Sequence, residues 1–450
     1  MADVPSGVAR TLTLDQAMRY AGDHYPTVRA ALEQVNQSAA GLDVARATYL
    51  PRLDSLWQSN RATANNIFGQ VLPQTMIPAM SGPVLPSVSG QAVWGSATGA
   101  LLTWEPFDFG LRNATVFGAR ATLTRARASD ALMHLDVQNA VGEAFLGVLA
   151  AERGATAARA DFDRREVLAR TVRVLADNQL RPGAEASRAD AERAAAQTRL
   201  IQARQVLMLA RISLTRVLGT VNDAVTIDAT NLLEQLPSRE IAASAAAAHP
   251  LAQVRQAAVE EARAQQDLLE HTDLPRVYML SSIFARGSGA NANGQLDGGF
   301  DGLGLDRANW AAGVQVLFPN VFDFAALRAR KAAAASSERA QAALYEEALL
   351  TIVSQRQAAA ATVEAARAVA ANTPVQLAAA QQSETQARAR YQAGLASIVE
   401  VADAQALLAQ AELQDQLARV GLWHALLAAA VAQGNLDPFL SLVQSSSGVR

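Results

Sequence analysis

The sequence predicts a mostly α-helical fold with a small β portion, laid out as two tandem repeats of helix, strand, strand, long helix and return helix. Three observations carry that expectation. Tyr25-Pro26 opens a helical stretch ending at Leu50-Pro51-Arg52-Leu53, and His249-Pro250 opens one ending at Leu274-Pro275-Arg276-Val277, with the prolines of each pair 25 positions apart. Two long stretches, Gly110 to about Asp177 and Ala325 to Tyr391, carry apolar residues at three-and-four spacing, as at Leu132, Leu135, Val141, Phe145 and Val148. Between each Leu-Pro-Arg word and its long helix lie two strand-like runs separated by a loop rich in Gly, Pro or Asn. Self-similarity on this scale marks a duplicated architecture.

Composition narrows the class. The chain of 450 residues is 50% hydrophobic but only 5% aromatic, with alanine supplying much of the apolar total, which suits thin, closely packed helices better than a thick core. A net charge of −3 and a single lysine, Lys331, leave no basic field to hold nucleic acid. With no cysteine, disulfides and thiolate metal sites are excluded. No uncharged apolar run reaches the roughly 18 residues of a transmembrane helix, so a membrane crossing would have to be made by β-strands. Met1-Ala2-Asp3-Val4 is not a charged and apolar signal segment, which fits either a cytosolic protein or a mature sequence whose signal has been removed.

Taken in order, Thr13 reads as an N-cap with Gln16 at the capping-box position, and the first helix runs in two pieces around Pro26. Each long helix reaches about 100 Å at roughly 1.5 Å per residue. Pro374 is expected to kink or interrupt the second one. The chain reverses at Gln179-Leu180-Arg181-Pro182-Gly183 and again at Tyr391-Gln392-Ala393-Gly394-Leu395, and the return helices run to Leu218-Gly219 and Gln433-Gly434. The first repeat is thereby placed at 11–220 with its loop at 65–87 and its tip at 178–188. A linker at 221–240 leads to the second repeat at 241–440, with its loop at 286–307 and tip at 391–398, and 441–450 is expected to be a disordered tail.

Of the strand-like runs, Val88 to Trp104 places Trp94, Leu102 and Trp104 on one side, and Asn309 to Phe318 places Trp310, Val314, Val316 and Phe318 on one side. Leu53 to Thr63 and Val277 to Ala285 alternate poorly. Trp94 and Trp104 lie about 33 Å apart along a strand, or roughly 24 Å of depth at a 45° tilt, close to the spacing of aromatic girdles on an outer-membrane barrel. The same alternation also fits two tryptophans on the buried face of a soluble sheet. Four strands cannot close a barrel around a useful lumen, so their edges need partners, which symmetric association of several chains would supply.

The order of these elements, the twin Leu-Pro-Arg words, Phe107-Asp108-Phe109-Gly110, and Tyr391-x-x-Gly394 followed by Glu400-Val401-x-Asp403-Ala404 resemble the TolC-like outer-membrane efflux protein family over about Leu12 to Leu440. The resemblance implies a homotrimer in the outer membrane, with a 12-stranded β-barrel and a periplasmic α-helical barrel closed at its inner end by helical hairpins. It implies a passive exit duct for small molecules, partnered by a periplasmic adaptor protein and an inner-membrane pump. A type I protein secretion channel is the nearest alternative within the family. A soluble coiled-coil scaffold is the alternative from another class; it leaves the paired strand runs and their aromatic faces without a purpose.

Site expectations follow from both sources. Glu400 and Asp403 share a helix face, and a trimer would stack them into two acidic rings that attract cations; two solvated charges favoured by a helix start are the plainer reading. By resemblance, Glu400 and Asp403 match acidic positions of a periplasmic constriction, and Tyr391 matches a tyrosine that holds the hairpins closed. Adaptor contact is assigned, by resemblance alone, to Pro182, Gly183, Asp190, Gly394, Leu395 and Ser397. Trp94, Trp104, Trp310 and Phe318 are assigned to a membrane aromatic girdle. Arg286 to Asp306, with Asp297, Asp301 and Asp306, reads as a solvated extracellular loop, since its spacing does not fit an EF-hand calcium loop. The five histidines show no metal spacing, Gly287-Ser288-Gly289 is too short to bind phosphate, and no catalytic constellation or cofactor is expected.

Overall fold

The computed structural model describes residues 10–63, 90–180, 182–220, 225–233, 237, 241, 244–291, 293–319 and 323–446. The first-repeat loop at 65–87 lies outside the described residues. The chain divides into two compact units that cut across the sequence repeats: one made of 1–36, 125–257 and 342–450, the other of 37–124 and 258–341. The repeats are therefore interleaved, each contributing to both units.

In the first unit, α1 (Leu14–His24) starts with the expected capping box, in which the Thr13 N–H donates to Gln16 Oε1 at 3.2 Å. Pro26 opens α2 (Pro26–Ala47), and the long helix α3 (Leu111–Asp177) is 67 residues of unbroken helix. Its return helix α4 (Gly183–Leu218) and that of the second repeat, α7 (Ile398–Gln433), have 36 residues each. Both end on a left-handed glycine, Gly219 at φ 74° and Gly434 at φ 75°. A Cβ on Gly219 would meet Tyr25 and Pro26, and one on Gly434 would meet His249 and Pro250 at 2.7–3.0 Å. The two copies thus share a packing device as well as an order of elements. The core centres on Trp423, Phe145, Phe439, Met18 and Leu14, all nearly inaccessible. Trp423 donates from Nε1 to the Leu232 carbonyl at 2.7 Å and meets the edge of Phe439.

Two expectations are corrected: that Pro374 interrupts the second long helix, and that the segment from 441 is disordered. The second long helix, α6 (Phe324–Gln392), continues through Pro374 without interruption. The inter-repeat linker holds a strand, β4 (Val225–Ile227), which pairs in parallel with β1 (Arg10–Leu12). The segment expected to be disordered from 441 is helical to Ser446 as part of α8 (Asp437–Ser446), because Phe439, Leu442 and Val443 are buried in the core.

The second unit holds a four-stranded antiparallel sheet in the order β2 (Arg52–Thr63), β3 (Ala92–Phe107), β5 (Arg276–Ser288), β6 (Arg307–Leu317), leaving β2 and β6 as edges. The helix α5 (Pro250–Glu270) leads into β5. At the β3–α3 junction Asp108 caps the long helix, accepting from the N–H groups of Gly110 and Arg112 and from Arg112 Nε at 2.7 Å. The loop assigned to 286–307 is shorter than expected and only partly solvated: Arg286 to Ser288 belong to β5, Arg307 to β6, and Ala290 and Gly302 are buried.

Candidate functional site

Two surfaces carry the residues singled out by the sequence. The first is the pair of helical tips. Tyr391 sits at the end of α6, buried among Ala169, Val172, Ala186, Ala189, Ile398 and Val401. Its hydroxyl donates to Glu185 Oε2 at 3.2 Å, so a residue in the first turn of α4 ties the two tips together. Glu185 escaped the sequence reading because a carboxylate in a first helical turn is ordinary there. Ser397 caps α7: its Oγ accepts from the Glu400 N–H at 3.4 Å while Glu400 Oε1 accepts from the Ser397 N–H at 3.3 Å. Glu400 is therefore a capping residue as well as a surface charge, with Arg390 Nη2 at 3.9 Å. Asp403, one turn on, is exposed on the same face.

The tips themselves are the same turn. In the first, Gln179 takes the left-handed conformation at φ 60°; in the second, Gly394 does so at φ 74°. The Leu180 N–H bonds to the Leu175 carbonyl and the Leu395 N–H to the Arg390 carbonyl, both at 2.8 Å, the signature of a Schellman end. Each turn then presents a leucine, Leu180 at 69% and Leu395 at 71% exposure. Leu180 precedes Leu395 by the same 215 residues that separate Gly219 from Gly434. That offset was the available signal; Gln179 hid it by occupying a position where glycine is usual. Pro182, Gly183, Gly394, Leu395 and Ser397 are exposed, whereas Asp190 lies well inside α4, half-buried and paired with Arg173.

Behind the tips, α3, α4 and α7 border a cavity of about 780 Å³ lined largely by Ala and Gly, with Asp161, Arg165 and Glu192 at its charged side. Arg165 donates to Asp161 at 3.0 Å and to Glu192 at 2.8 Å, and Arg199 donates to Asp161 at 2.9 Å.

The second surface is one face of the sheet. Strand register places Leu53 and Trp57 of β2, Trp94, Leu102 and Trp104 of β3, Met279 and Ile283 of β5, and Trp310, Val314 and Val316 of β6 on the same side. Most are open: Trp310 is 79% exposed, Trp57 72% and Ile283 66%. A soluble sheet would bury this face; here it is left bare. The opposite face carries Asp54, Gln58, Asn60, Arg286, Asn309 and Gln315. It also holds a small cluster of Leu56, Ala97 and Phe284, which is why β2 and β5 alternate poorly in sequence. Phe318 is exposed one residue past β6. No helix among the described residues is long and apolar enough to cross a membrane, and none of them form a metal-binding cluster.

A four-stranded sheet with a bare apolar face lies in one chain with two helices of 67 and 69 residues, the combination of elements that the sequence resemblance implied. Comparison with known proteins finds the same fold. Residues 242–430 match the family model of outer membrane efflux proteins. The fold of the whole chain is similar to the outer membrane protein VceC of Vibrio cholerae (17% identity, 94% of this chain and 96% of that one, TM-score 0.74). It is similar to the Campylobacter jejuni CmeC outer membrane channel (14%, 97% and 90%, 0.75) and to the open Neisseria gonorrhoeae MtrE outer membrane channel (18%, 94% and 89%, 0.74). No curated protein sequence matches the chain. The chain shares the TolC-like fold of these proteins, and CmeC and MtrE are outer membrane channels.

Proposed function

We propose that three copies of this chain form an outer-membrane exit duct, in which the β6 edge of each protomer pairs with the β2 edge of the next to give twelve strands. The observation that carries the proposal is the bare apolar face: nine large hydrophobic side chains spread over all four strands share one side of the sheet and are 40–79% exposed, and lipid is the solvent they suit. Edge pairing then removes every open backbone group from the hydrocarbon. Passive export of small molecules from the periplasm, with a periplasmic adaptor and an inner-membrane pump supplying selection and energy, is the activity this architecture supports. Leu180 and Leu395, repeated three times, offer six apolar knobs for adaptor docking, and the Tyr391–Glu185 bond, with Glu400 and Asp403 beside it, forms the gate region.

The test is the state of the purified chain. In detergent, the particle is expected to weigh three times the 47.5 kDa of the chain and to yield ion conductance in planar bilayers. A monodisperse monomer that stays soluble without detergent would overturn the reading and favour the coiled-coil scaffold.

A further inference from the structure

Within the loop between β5 and β6, residues 300–304 fold back onto the bare apolar face. Residues 300–304 lie across β3 and β5, the two central strands. Ser96, on the apolar side of β3, donates from Oγ to the Gly302 carbonyl at 3.1 Å, and the Phe300 ring stands 6.1 Å from that of Trp94. The contact is built into the backbone. A Cβ on Gly287, which would point to the same face, would lie 1.7 Å from the Gly304 carbonyl oxygen, and one on Gly302 would lie 1.7 Å from that of Trp94. Two glycines are thus required for this strap to lie flat.

Outward, the strap presents Phe300 at 71%, Leu305 at 43% and Leu303 at 36% exposure, with the exposed carboxylates Asp301 and Asp306 interleaved among them. Beside it on the same face, the Arg61 guanidinium sits 6.0 Å from the Trp94 ring centroid. The strap touches the middle strands, away from the β2 and β6 edges, so a neighbouring protomer paired at those edges does not reach it by strand pairing. Its surface adjoins Trp94 on the bare face.

We propose that this strap is a lipid-contacting element: Phe300, Leu303 and Leu305 insert into the outer leaflet at the loop end of the sheet, with Arg61 set at the level of the headgroup phosphates. The proposal rests on the sheet face being lipid-facing. It replaces a solvated loop by a second apolar layer that broadens the barrel's contact with the membrane where the strands end.

The chain has no cysteine, so a single introduced thiol is unique. Phe300→Cys, Leu303→Cys and Leu305→Cys would each carry a nitroxide in the full-length protein reconstituted in phosphatidylethanolamine–phosphatidylglycerol vesicles. Trp310→Cys serves as the mid-face reference and Gly294→Cys as the loop reference. Collision of the spin label with oxygen, which concentrates in lipid, is compared with collision with a water-soluble nickel chelate. The expected result is a severalfold higher oxygen-to-nickel ratio at 300, 303 and 305 than at 294, approaching that at 310. Ratios at all three strap positions equal to that at 294, with 310 still lipid-like, would overturn the strap proposal alone. An aqueous ratio at 310 would overturn the lipid-facing reading and the strap with it.

Discussion

Asp161 and Arg199 share one hydrogen bond, yet removing its two ends should cost different amounts. Asp161 is 5% exposed and accepts from Arg165, itself 4% exposed, as well as from Arg199, which is 50% exposed. Replacing Asp161 with alanine takes away one of the two carboxylates that neutralise a buried guanidinium. Breaking a buried pair costs about 3–5 kcal/mol, and because Glu192 still holds Arg165 at 2.8 Å, a value near the lower end, about 3 kcal/mol, is expected. Replacing Arg199 removes an exposed partner, worth about 0–1 kcal/mol, while Asp161 keeps its bond to Arg165. A chain of this size does not unfold in one step, so local amide exchange is the suitable assay. At about 1.4 kcal/mol per factor of ten, Asp161→Ala should accelerate exchange around 158–168 and 189–200 roughly a hundredfold, and Arg199→Ala less than about sixfold. Equal effects of the two substitutions, or an Asp161→Ala effect under fivefold, would refute the assignment of Arg165 as the residue at stake.

Three further outcomes are expected. His249 is buried, with Nδ1 accepting from the Leu251 N–H and Nε2 bonded to the Val431 carbonyl, both at 3.1 Å. Burial lowers its pKa, the Arg356 charge works in the same direction, and the Val431 bond and Asp136 oppose them. The unfolded chain therefore takes up the proton first, so this contribution is present above the ordinary histidine range, near 6.5, and fades as pH falls through the lower folded value. Protonation also strands the Leu251 N–H, at about 1–3 kcal/mol. Exchange at 250–253 should thus rise from pH 7.5 to 5.5 beyond the intrinsic trend, and His249→Gln, which can make both bonds without titrating, should abolish the rise; an unchanged pH dependence in that variant counts against it. At the tips, Gly394→Ala should destabilise the turn by about 1–2 kcal/mol, whereas Gln179→Gly should gain under about 1 kcal/mol because the unfolded chain also gains freedom. Tip exchange rates that move the same way in both variants would contradict the shared turn. In planar bilayers, Asp403→Ala and Glu400→Ala should each lower cation selectivity, but only Glu400→Ala should also loosen the start of α7, by about 1 kcal/mol; full selectivity in the conducting double variant would remove both residues from the pore.

The sequence was most legible where one physical rule dominates. Long three-and-four spacing placed the ends of α3 and α6 to within a residue or two, although the expected break at Pro374 is absent, and Thr13 with Gln16 marked the start of α1. It was less legible where tertiary packing overrides pattern. Leu56 and Phe284 stand on the polar side of their strands because they pack on Ala97, and the tail helix is held by burial of Phe439 against Trp423. The close approach of 300–304 to the sheet was not legible because Gly, Asn and Asp signal solvated loops, whereas two of the glycines here serve close backbone approach. Buried polar contacts such as Tyr391–Glu185 and His249–Val431 join residues about 200 positions apart in sequence, and no local rule pairs them.

The two tips differ in sequence and Pro374 has no counterpart in α3, yet the copies do not part there. The tips share one turn and one exposed leucine, and Pro374 leaves α6 continuous. The divergence lies along the hairpin seams. Among the described residues, α3 and α4 are joined by four ion pairs: Glu152–Arg211, Asp161–Arg199, Arg165–Glu192 and Arg173–Asp190. Along the equivalent stretch of α6 and α7 the contacts are mostly uncharged or longer: Thr373 to Asp415 at 3.0 Å, Gln376 to Gln414 at 2.9 Å, and Arg390 to Glu400 at 3.9 Å. Duplication has preserved what sets backbone direction, the αL turns and the glycine-on-proline contacts, because a change there misplaces a whole helix. Side chains between two already positioned helices are under no such constraint, and that is where the two repeats have acquired different chemistry.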